Sequence, residues 1–183
     1  DIIVSKDCVS EEVFFQTLAI CSKQIKYGFP IANINYLDVE NFINVLSQDV
    51  KGWKFRLPSE AEWEAICKSE TTELFGMEEN PVFPHNINYQ KTSSTKMLPV
   101  TQLEENKFGI RGMNGNIWEM CADNWHPNLT LVPTDGTAYR GNPEFIVVRG
   151  GCYAFCLDTC RAASRIPVPH DSRLPWMGFR LVA

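Results

Sequence analysis

The stretch NKFGIRGMNGNIWEM, residues 106–120, contains three glycines between large side chains and has Trp118 and Glu119 near its end. Glycine at this density predicts positive φ or close approach of the backbone, and therefore an irregular segment. A carboxylate beside an aromatic ring must be paired if it is buried, because an unpaired buried charge costs on the order of 3–5 kcal/mol. The stretch therefore predicts a loop-rich fold held together by buried polar side chains.

Three other stretches have the same mixture of charged, aromatic and glycine or proline residues. They are RLPSEAEWE (56–64), VVRGGCYAFCLDTCRAASR (147–165) and MGFRLVA (177–183). Their arginines and carboxylates suit buried ion pairs better than a substrate site, so we expect them to hold the fold. The residues expected to have this structural role are Arg56, Glu60, Glu62, Trp63, Trp118, Glu119, Arg149, Arg165 and Arg180.

Three segments have the spacing of apolar residues that predicts amphipathic helices. The first follows Ser10, a suitable N-cap, and has two glutamates that favour its first turn. The third follows Ser59, which can form a capping box with Glu62 three residues later. The apolar faces of the first two helices are expected at Phe14, Leu18, Cys21 and Ile25, and at Val39, Phe42, Ile43 and Leu46.

The rest of the chain predicts loops and short strands. Residues 69–111 are rich in Pro, Asn, Ser and Thr without periodicity, which indicates long ordered loops with occasional short strands. EFIVVRGG (144–151) and GFRLVA (178–183) are typical of a small antiparallel sheet. Helices followed by strands predict one α+β domain spanning residues 1–183. Because the chain starts at Asp1 and continues at once as a strand, we expect it to be part of a longer polypeptide.

The composition argues against two classes of partner. A chain of 183 residues, 44% hydrophobic and 21% charged, suits one hydrophobic core. Its net charge of -5 disfavours a nucleic-acid surface, which needs clustered Lys and Arg. No apolar run approaches the roughly 18 to 20 residues of a membrane span, so direct membrane insertion is not expected. Seven cysteines, an odd number, favour a reducing compartment, cytoplasmic or bacterial cell-associated.

Taken in order, the four quoted stretches resemble the formylglycine-generating enzyme and sulfatase-modifying factor family. The resemblance covers nearly the whole chain and implies the family's variant of the C-type-lectin fold, with helices on a small sheet and long ordered loops. It also implies what the active members do. They are copper-dependent oxidases that convert a substrate cysteine to formylglycine, and two thiolates after a Gly-Gly pair bind Cu(I), a soft cation.

The cysteines after Gly151 depart from the pattern that this resemblance implies. The first copper thiolate would stand where this chain has Phe155, Cys156 lies one place later, and Cys160 falls on the second position. CRAASR instead resembles the Cys-Arg-x-Ala-x-Arg segment of members that lack the pair. There Cys160 is a packing residue and Cys152 replaces a serine. We therefore expect no catalytic residues; the alternative is a copper site at Cys156 and Cys160.

The family often binds calcium, but ligands that the resemblance implies are missing here. In one site the family uses the glutamate of the Gly-Asn-x-Trp-Glu run, which is Glu119 here, together with a ligand that precedes the run. This chain has Gly112 at that preceding position, and glycine has no side chain. A second uses an asparagine, here Asn88 or Asn86, with a later acid, and residues 81–98 contain no acid. Hard cations need several charged oxygen ligands, so we expect no calcium and no other cofactor, with Asn88 and Glu119 as weak candidates. Zinc is disfavoured further because the thiols lack C-x₂-C spacing.

These observations predict a non-catalytic module that binds a ligand or a protein, or acts as a scaffold, within a larger bacterial protein. The resemblance extends to family domains fused to Ser/Thr protein kinases as sensor modules, and to retroelement-diversified binding proteins. The alternative is a copper-dependent formylglycine-generating oxidase that acts on a cysteine of a sulfatase-type peptide.

A binding surface is expected on residues 123–142, 152–159 and 167–176, here called the loop face. Aromatic side chains are the usual anchors of an interface. The alternative is that these rings only cover the core. The expected partner is a protein or a small ligand, and nucleic acid is not expected. The candidate binding residues are Trp125, Tyr139, Tyr153, Phe155, His170 and Trp176.

Overall fold

Helices come first along the chain and strands later, as the sequence predicts. The computed structural model describes residues 2–20, 24–76, 87–92 and 96–183. Its helices are α1 (Glu11–Thr17), α2 (Tyr36–Asp49) and α3 (Glu60–Lys68), and its strands are β1 (Trp118–Asn124), β2 (Phe145–Arg149), β3 (Arg165–Pro169) and β4 (Met177–Gly178). Short 3₁₀ turns lie at Val100–Gln102, Leu129–Leu131 and Leu157–Cys160. This is the predicted α+β class.

The four strands form one small sheet in the order β3-β2-β1-β4. β2 is antiparallel to β1 and β3, but β4 runs parallel to β1, with Trp118 opposite Met177. The sheet is therefore mixed, and the purely antiparallel arrangement expected from the sequence is wrong at this edge. The sequence also misses β3, because its two prolines argue against a strand. They are tolerated here because β3 lies at the other edge of the sheet.

Two of the helices begin with capping boxes. The Ser59 hydroxyl accepts a hydrogen bond from the Glu62 N–H (3.1 Å), and Glu62 accepts one from the Ser59 N–H (2.8 Å), which confirms the predicted start of α3. Asn35 and Asp38 form the same motif at the start of α2. No helix in the described ranges is long and apolar enough to cross a membrane.

Helix α1 is shorter than the sequence predicts. It ends at Thr17, with Leu18 as C-cap, and Ile25 lies outside it. Cys21, also expected on this helix, lies outside the described residues. The chain folds back here because Glu11 and Glu12 of the first turn accept hydrogen bonds from the backbone N–H groups of Lys26 (2.8 Å) and Gly28 (3.0 Å). These contacts place the following segment beside the helix instead of extending it.

The two ends of the chain pair with each other. Ile3 and Ala183 exchange backbone hydrogen bonds of 3.1 and 2.9 Å, and Arg56 and Val182 exchange two bonds of 2.9 Å. The predicted strand at 178–183 is therefore mostly irregular, because only its start pairs with β1 and the rest bridges the N-terminus and residue 56. The described part of the predicted loop region, residues 69–111, contains one 3₁₀ turn and isolated bridges.

The main core lies between helices α1 and α2 and one face of the sheet. Phe42 stacks on Phe14, with ring centroids 5.3 Å apart, and meets the Phe179 ring edge-on at 5.4 Å. Alternate residues of β1 enter this core, whereas Cys121, between them, joins a second cluster around Trp63 of α3. β1 therefore has both faces buried, and Glu119 is its second residue.

Candidate functional site

Glu119 is completely buried and lies at the meeting point of four segments of the chain. Its Oε1 accepts hydrogen bonds from Arg180 Nη2 (2.7 Å) and Cys8 Sγ (2.9 Å). Its Oε2 accepts hydrogen bonds from Arg180 Nε (2.6 Å) and Trp63 Nε1 (2.7 Å). A carboxylate has about four acceptor positions, and all of them are used here. The Glu119 carboxylate therefore does not fit the calcium role considered from the sequence.

The thiol of Cys8 belongs to this network as a hydrogen-bond donor. Burial and the negative charge of Glu119 raise its pKa well above the ordinary value of a cysteine. The thiol therefore stays protonated near neutral pH and can donate to the carboxylate. A protonated, buried thiol of this kind is a structural group and a poor nucleophile.

A second charged network joins helix α3 to strands β2 and β3. Arg149 is 1% exposed and pairs with Glu64 and, at 3.4 Å, with Glu60. Arg165 binds Glu60 through two hydrogen bonds of 2.5 and 2.7 Å, and its guanidinium stacks on the Trp125 ring, 4.1 Å from the centroid. These contacts confirm the predicted structural role of the arginines. The Arg165 guanidinium also covers the ring of Trp125, which is one of the binding residues predicted from the sequence.

The Gly-Gly pair places the three neighbouring cysteines in different environments. A Cβ on Gly151, whose φ is +73°, would lie 2.6 Å from the Cys160 sulfur, so only glycine allows this packing. Cys152 and Cys160 are fully buried, and burial raises their pKa values to about 11 and about 12. Cys156 is exposed and begins the 3₁₀ turn that ends at Cys160.

Phe155 occupies the position that the family resemblance assigns to the first copper thiolate. Its ring is half-buried between Trp118, at a centroid distance of 6.2 Å, and Trp176, at 5.2 Å. The ring fills this position with carbon atoms, which offer copper no ligand. The residues present therefore do not fit the two-thiolate copper site of the active members.

The six aromatic residues predicted for the loop face are all half-buried, and the structure brings only some of them together. Phe155 contacts Trp176, and Tyr153 packs on the same core cluster. The others have different neighbours. His170 lies against Tyr36 with centroids 4.6 Å apart, Tyr139 meets His126 at 5.3 Å, and Trp125 contacts Arg165.

Asn88, the second calcium candidate, is buried beside other amide groups. Its Nδ2 donates to the Lys96 carbonyl (2.9 Å) and to Asn116 Oδ1 (2.8 Å), whereas its Oδ1 has no hydrogen-bond partner among the described residues. Asn86 lies outside the described residues. Across the described ranges, no group of three or more His, Cys, Asp or Glu side chains is arranged to hold a metal ion.

Sequence reasoning missed a cavity of about 480 Å³ beside α2. Its wall includes Tyr36, Glu40 and Asn44, which are spaced four residues apart and so share one side of the helix. The opposite walls come from the segment around Arg56 and from Arg140. The i, i+4, i+8 run of polar groups on α2 is the signal that could have indicated it.

Comparison with known proteins identifies one matching family model and several similar proteins. The model of the sulfatase-modifying factor enzyme 1-like domain matches residues 9–183. The formylglycine-generating enzyme of Thermomonospora curvata is 30% identical over 150 residues, covering 70% of this chain and 49% of the relative. That of Mycobacterium tuberculosis is 25% identical over 179 residues, covering 85% and 58%. The chain thus spans about half the length of these curated relatives.

A kinase and two solved structures are also similar. Serine/threonine-protein kinase Pkn1 of Chlamydia trachomatis is 31% identical over 121 residues, covering 60% of this chain and 18% of the kinase. Treponema denticola variable protein 1 superposes with a TM-score of 0.87 at 20% identity, covering 100% of this chain and 84% of its own. PvdO from Pseudomonas aeruginosa gives 0.88 at 22%, covering 99% and 79%. At these identities the structures show the shared fold alone.

Proposed function

The chain belongs to the family of sulfatase-modifying factor enzyme 1-like domains, and we propose that it is a non-catalytic binding or scaffolding module of a larger bacterial protein. The observation that carries the proposal is the ring of Phe155 at the position of the first copper thiolate, held between two tryptophans. An oxidase of this family without that thiolate lacks half of its copper ligands.

The state of the second thiol supports the same conclusion. Cys160 is fully buried, and burial raises its pKa to about 12, so it is a neutral thiol near pH 7. Soft metal ions bind the thiolate form. Cys156, whose thiol is exposed, begins the 3₁₀ turn, and the buried Cys160 ends the same turn.

The cluster of Tyr153, Phe155 and Trp176 is the part of the loop face best suited to bind a partner. These rings are half-buried, so part of each stays accessible while the rest is fixed against the core. Fixed aromatic rings lose little conformational entropy on binding and are frequent interface anchors. Relatives named Ser/Thr protein kinases carry a similar domain over 18% of their length, which favours a sensor or assembly module attached to a kinase.

The copper-dependent oxidase is the second candidate, because several relatives of the chain are named formylglycine-generating enzyme. The test supplies copper, a reductant and a Cys-x-Pro-x-Arg peptide, and follows the product by mass spectrometry. The T. curvata relative is the positive control, and Cu(I) titration measures binding. We expect no conversion and no stoichiometric Cu(I). Conversion that disappears in Cys160→Ser would establish the oxidase and exclude the non-catalytic module.

A further inference from the structure

The cavity beside α2 is a candidate ligand site separate from the loop-face aromatics. Its volume, about 480 Å³, is within the range of roughly 300–1,000 Å³ typical of small-molecule sites. None of the six candidate binding residues of the loop face lines it. Ala138 and Arg140 of the loop face do line it, but Tyr153, Phe155 and Trp176 do not, so an inference about this cavity is independent of binding at that aromatic cluster.

The floor of the cavity is apolar and its walls carry amide groups. Ile43 of α2, Leu57 and Ala138 contribute hydrocarbon surface. Asn41 and Asn44 of α2 line the wall and can both donate and accept hydrogen bonds. This combination suits a small molecule with an apolar body and polar groups at one end.

Two opposite charges in the cavity wall have no ion-pair partner in the part of the chain that the structure describes. Three charged residues line the cavity: Glu40, Arg56 and Arg140. Arg56 is neutralised by Glu62 through hydrogen bonds of 2.6 and 2.7 Å. Glu40 and Arg140 are exposed, and within the described ranges neither has a carboxylate or cation at ion-pair distance, including each other. A ligand with both charges would satisfy both groups.

The hydroxyl of Tyr36 lies under the influence of both charges. Burial raises the pKa of Tyr36, hydrogen bonding and the charge of Arg140 lower it, and the Glu40 carboxylate raises it further. Tyr36, Glu40 and Arg140 all line this cavity, so the hydroxyl and both charged residues border the same space.

We propose that this cavity binds a zwitterionic α-amino acid with an apolar side chain. Arg140 and the Tyr36 hydroxyl bind the carboxylate. Glu40, with the amide oxygen of Asn44, binds the ammonium group. The apolar side chain of the ligand lies on Leu57 and the adjacent apolar floor.

Isothermal titration calorimetry with L-leucine and two derivatives tests the assignment of each charge. L-leucinamide lacks the carboxylate, and N-acetyl-L-leucine lacks the ammonium group. We expect L-leucine to bind and each derivative to bind about tenfold or more weakly, since a hydrogen bond to a charged group contributes roughly that factor. L-methionine and L-phenylalanine extend the test to other apolar side chains.

Charge-removing variants connect the binding to the cavity. Arg140→Gln should weaken L-leucine binding about tenfold and abolish the difference between L-leucine and L-leucinamide. Glu40→Gln should abolish the difference between L-leucine and N-acetyl-L-leucine. Arg161→Gln, which removes another exposed arginine outside the cavity, is the matched control and should bind as the unchanged chain does. Because all three positions are exposed, equal melting temperatures will show that the fold is intact.

Three outcomes would overturn the proposal. The first is no binding of any of the three amino acids at millimolar concentration. The second is binding that Arg140→Gln and Glu40→Gln leave unchanged, which would place the ligand elsewhere. The third is equal binding of L-leucine and either derivative, which would show that only one of the two charges is recognised.

Discussion

At the scale of single residues, Glu119 connects parts of the chain that are far apart in sequence. Its carboxylate joins β1 to the N-terminal segment through Cys8, to α3 through Trp63 and to the C-terminal segment through Arg180. Arg180 also donates to the carbonyls of Ser5 and Arg111. A charged pair that is this well hydrogen-bonded can offset its desolvation cost, which explains why a loop-rich chain can bury it.

Replacing Glu119 with glutamine should destabilise the fold strongly. The amide removes the charge that neutralises the buried Arg180 guanidinium, so we expect a loss of about 3–5 kcal/mol in the free energy of unfolding. Urea titration measures it. The control is Glu62→Gln, which weakens an exposed ion pair and should cost under about 1 kcal/mol, because glutamine also serves in a capping box. Similar losses in both variants would contradict a structural role for the buried network.

The neighbouring thiols allow a second test at this scale. Cys160 packs against Gly151 and joins the buried cluster of Phe75 and Ile87, so Cys160→Ser buries a hydroxyl without a partner. We expect a loss of roughly 1–3 kcal/mol. Cys156→Ser, at an exposed position, should cost almost nothing.

The double serine variant distinguishes packing from a shared function of these thiols. Urea titrations of both single variants and the double variant are made under reducing conditions. Additive losses dominated by position 160 are expected for packing. If the two cysteines acted as one metal or redox unit, either substitution alone would do as much damage as both together.

At the scale of secondary-structure elements, the features best predicted from the sequence are those that depend on residues close together in the chain. The start of α3 follows from a serine and a glutamate three residues apart, and both partners lie within one turn. The early end of α1 could not be predicted in this way, because it depends on Glu11 and Glu12 binding backbone groups about 15 residues later. The parallel pairing of β1 with β4 joins residues 118 and 177, and no local pattern encodes it.

The capping boxes can be tested by comparing two serines at helix starts. Ser59→Ala removes the acceptor for the Glu62 N–H and a 2.7 Å hydrogen bond to the Gly136 carbonyl. We expect a loss of about 0.5–2 kcal/mol in unfolding free energy. Ser10 is the N-cap of α1 but makes no side-chain capping bond, so Ser10→Ala should cost less. A larger loss at Ser10, measured by thermal or urea unfolding, would refute this ranking of the caps.

At the scale of the whole molecule, the motifs predict the fold class and the family. They do not predict which residues lie together on the surface. The buried ion pairs of the core need particular charged residues, such as Glu119 and Arg180, and these are visible in the sequence. The sequence predicts one surface of loop-face rings, but in the structure Tyr139 packs on His126 and His170 packs on Tyr36. The cavity beside α2 combines residues from 36 to 140, and such long-range combinations arise only in the folded chain.

Calcium should not stabilise the molecule. All acceptor positions of Glu119 are used, and the groups that contact Asn88 are uncharged amides and carbonyls. A filled site would add RT ln(1 + [L]/Kd), about 2.7 kcal/mol at a hundredfold excess over Kd. For a chain of this size that is a rise of roughly 5–10 °C in melting temperature. We expect no such rise with millimolar calcium and no fall with a chelator.

The variant Asn88→Ala makes the calcium experiment decisive. The side-chain oxygen of Asn88 is a buried acceptor without a partner among the described residues, so it is the ligand of this candidate site that a calcium ion would need most. If calcium raised the melting temperature of the unchanged chain by several degrees but not that of Asn88→Ala, the neutral oxygens around Asn88 would be a metal site after all. Equal, small shifts in both proteins, recorded by differential scanning calorimetry, would show that the fold does not depend on calcium.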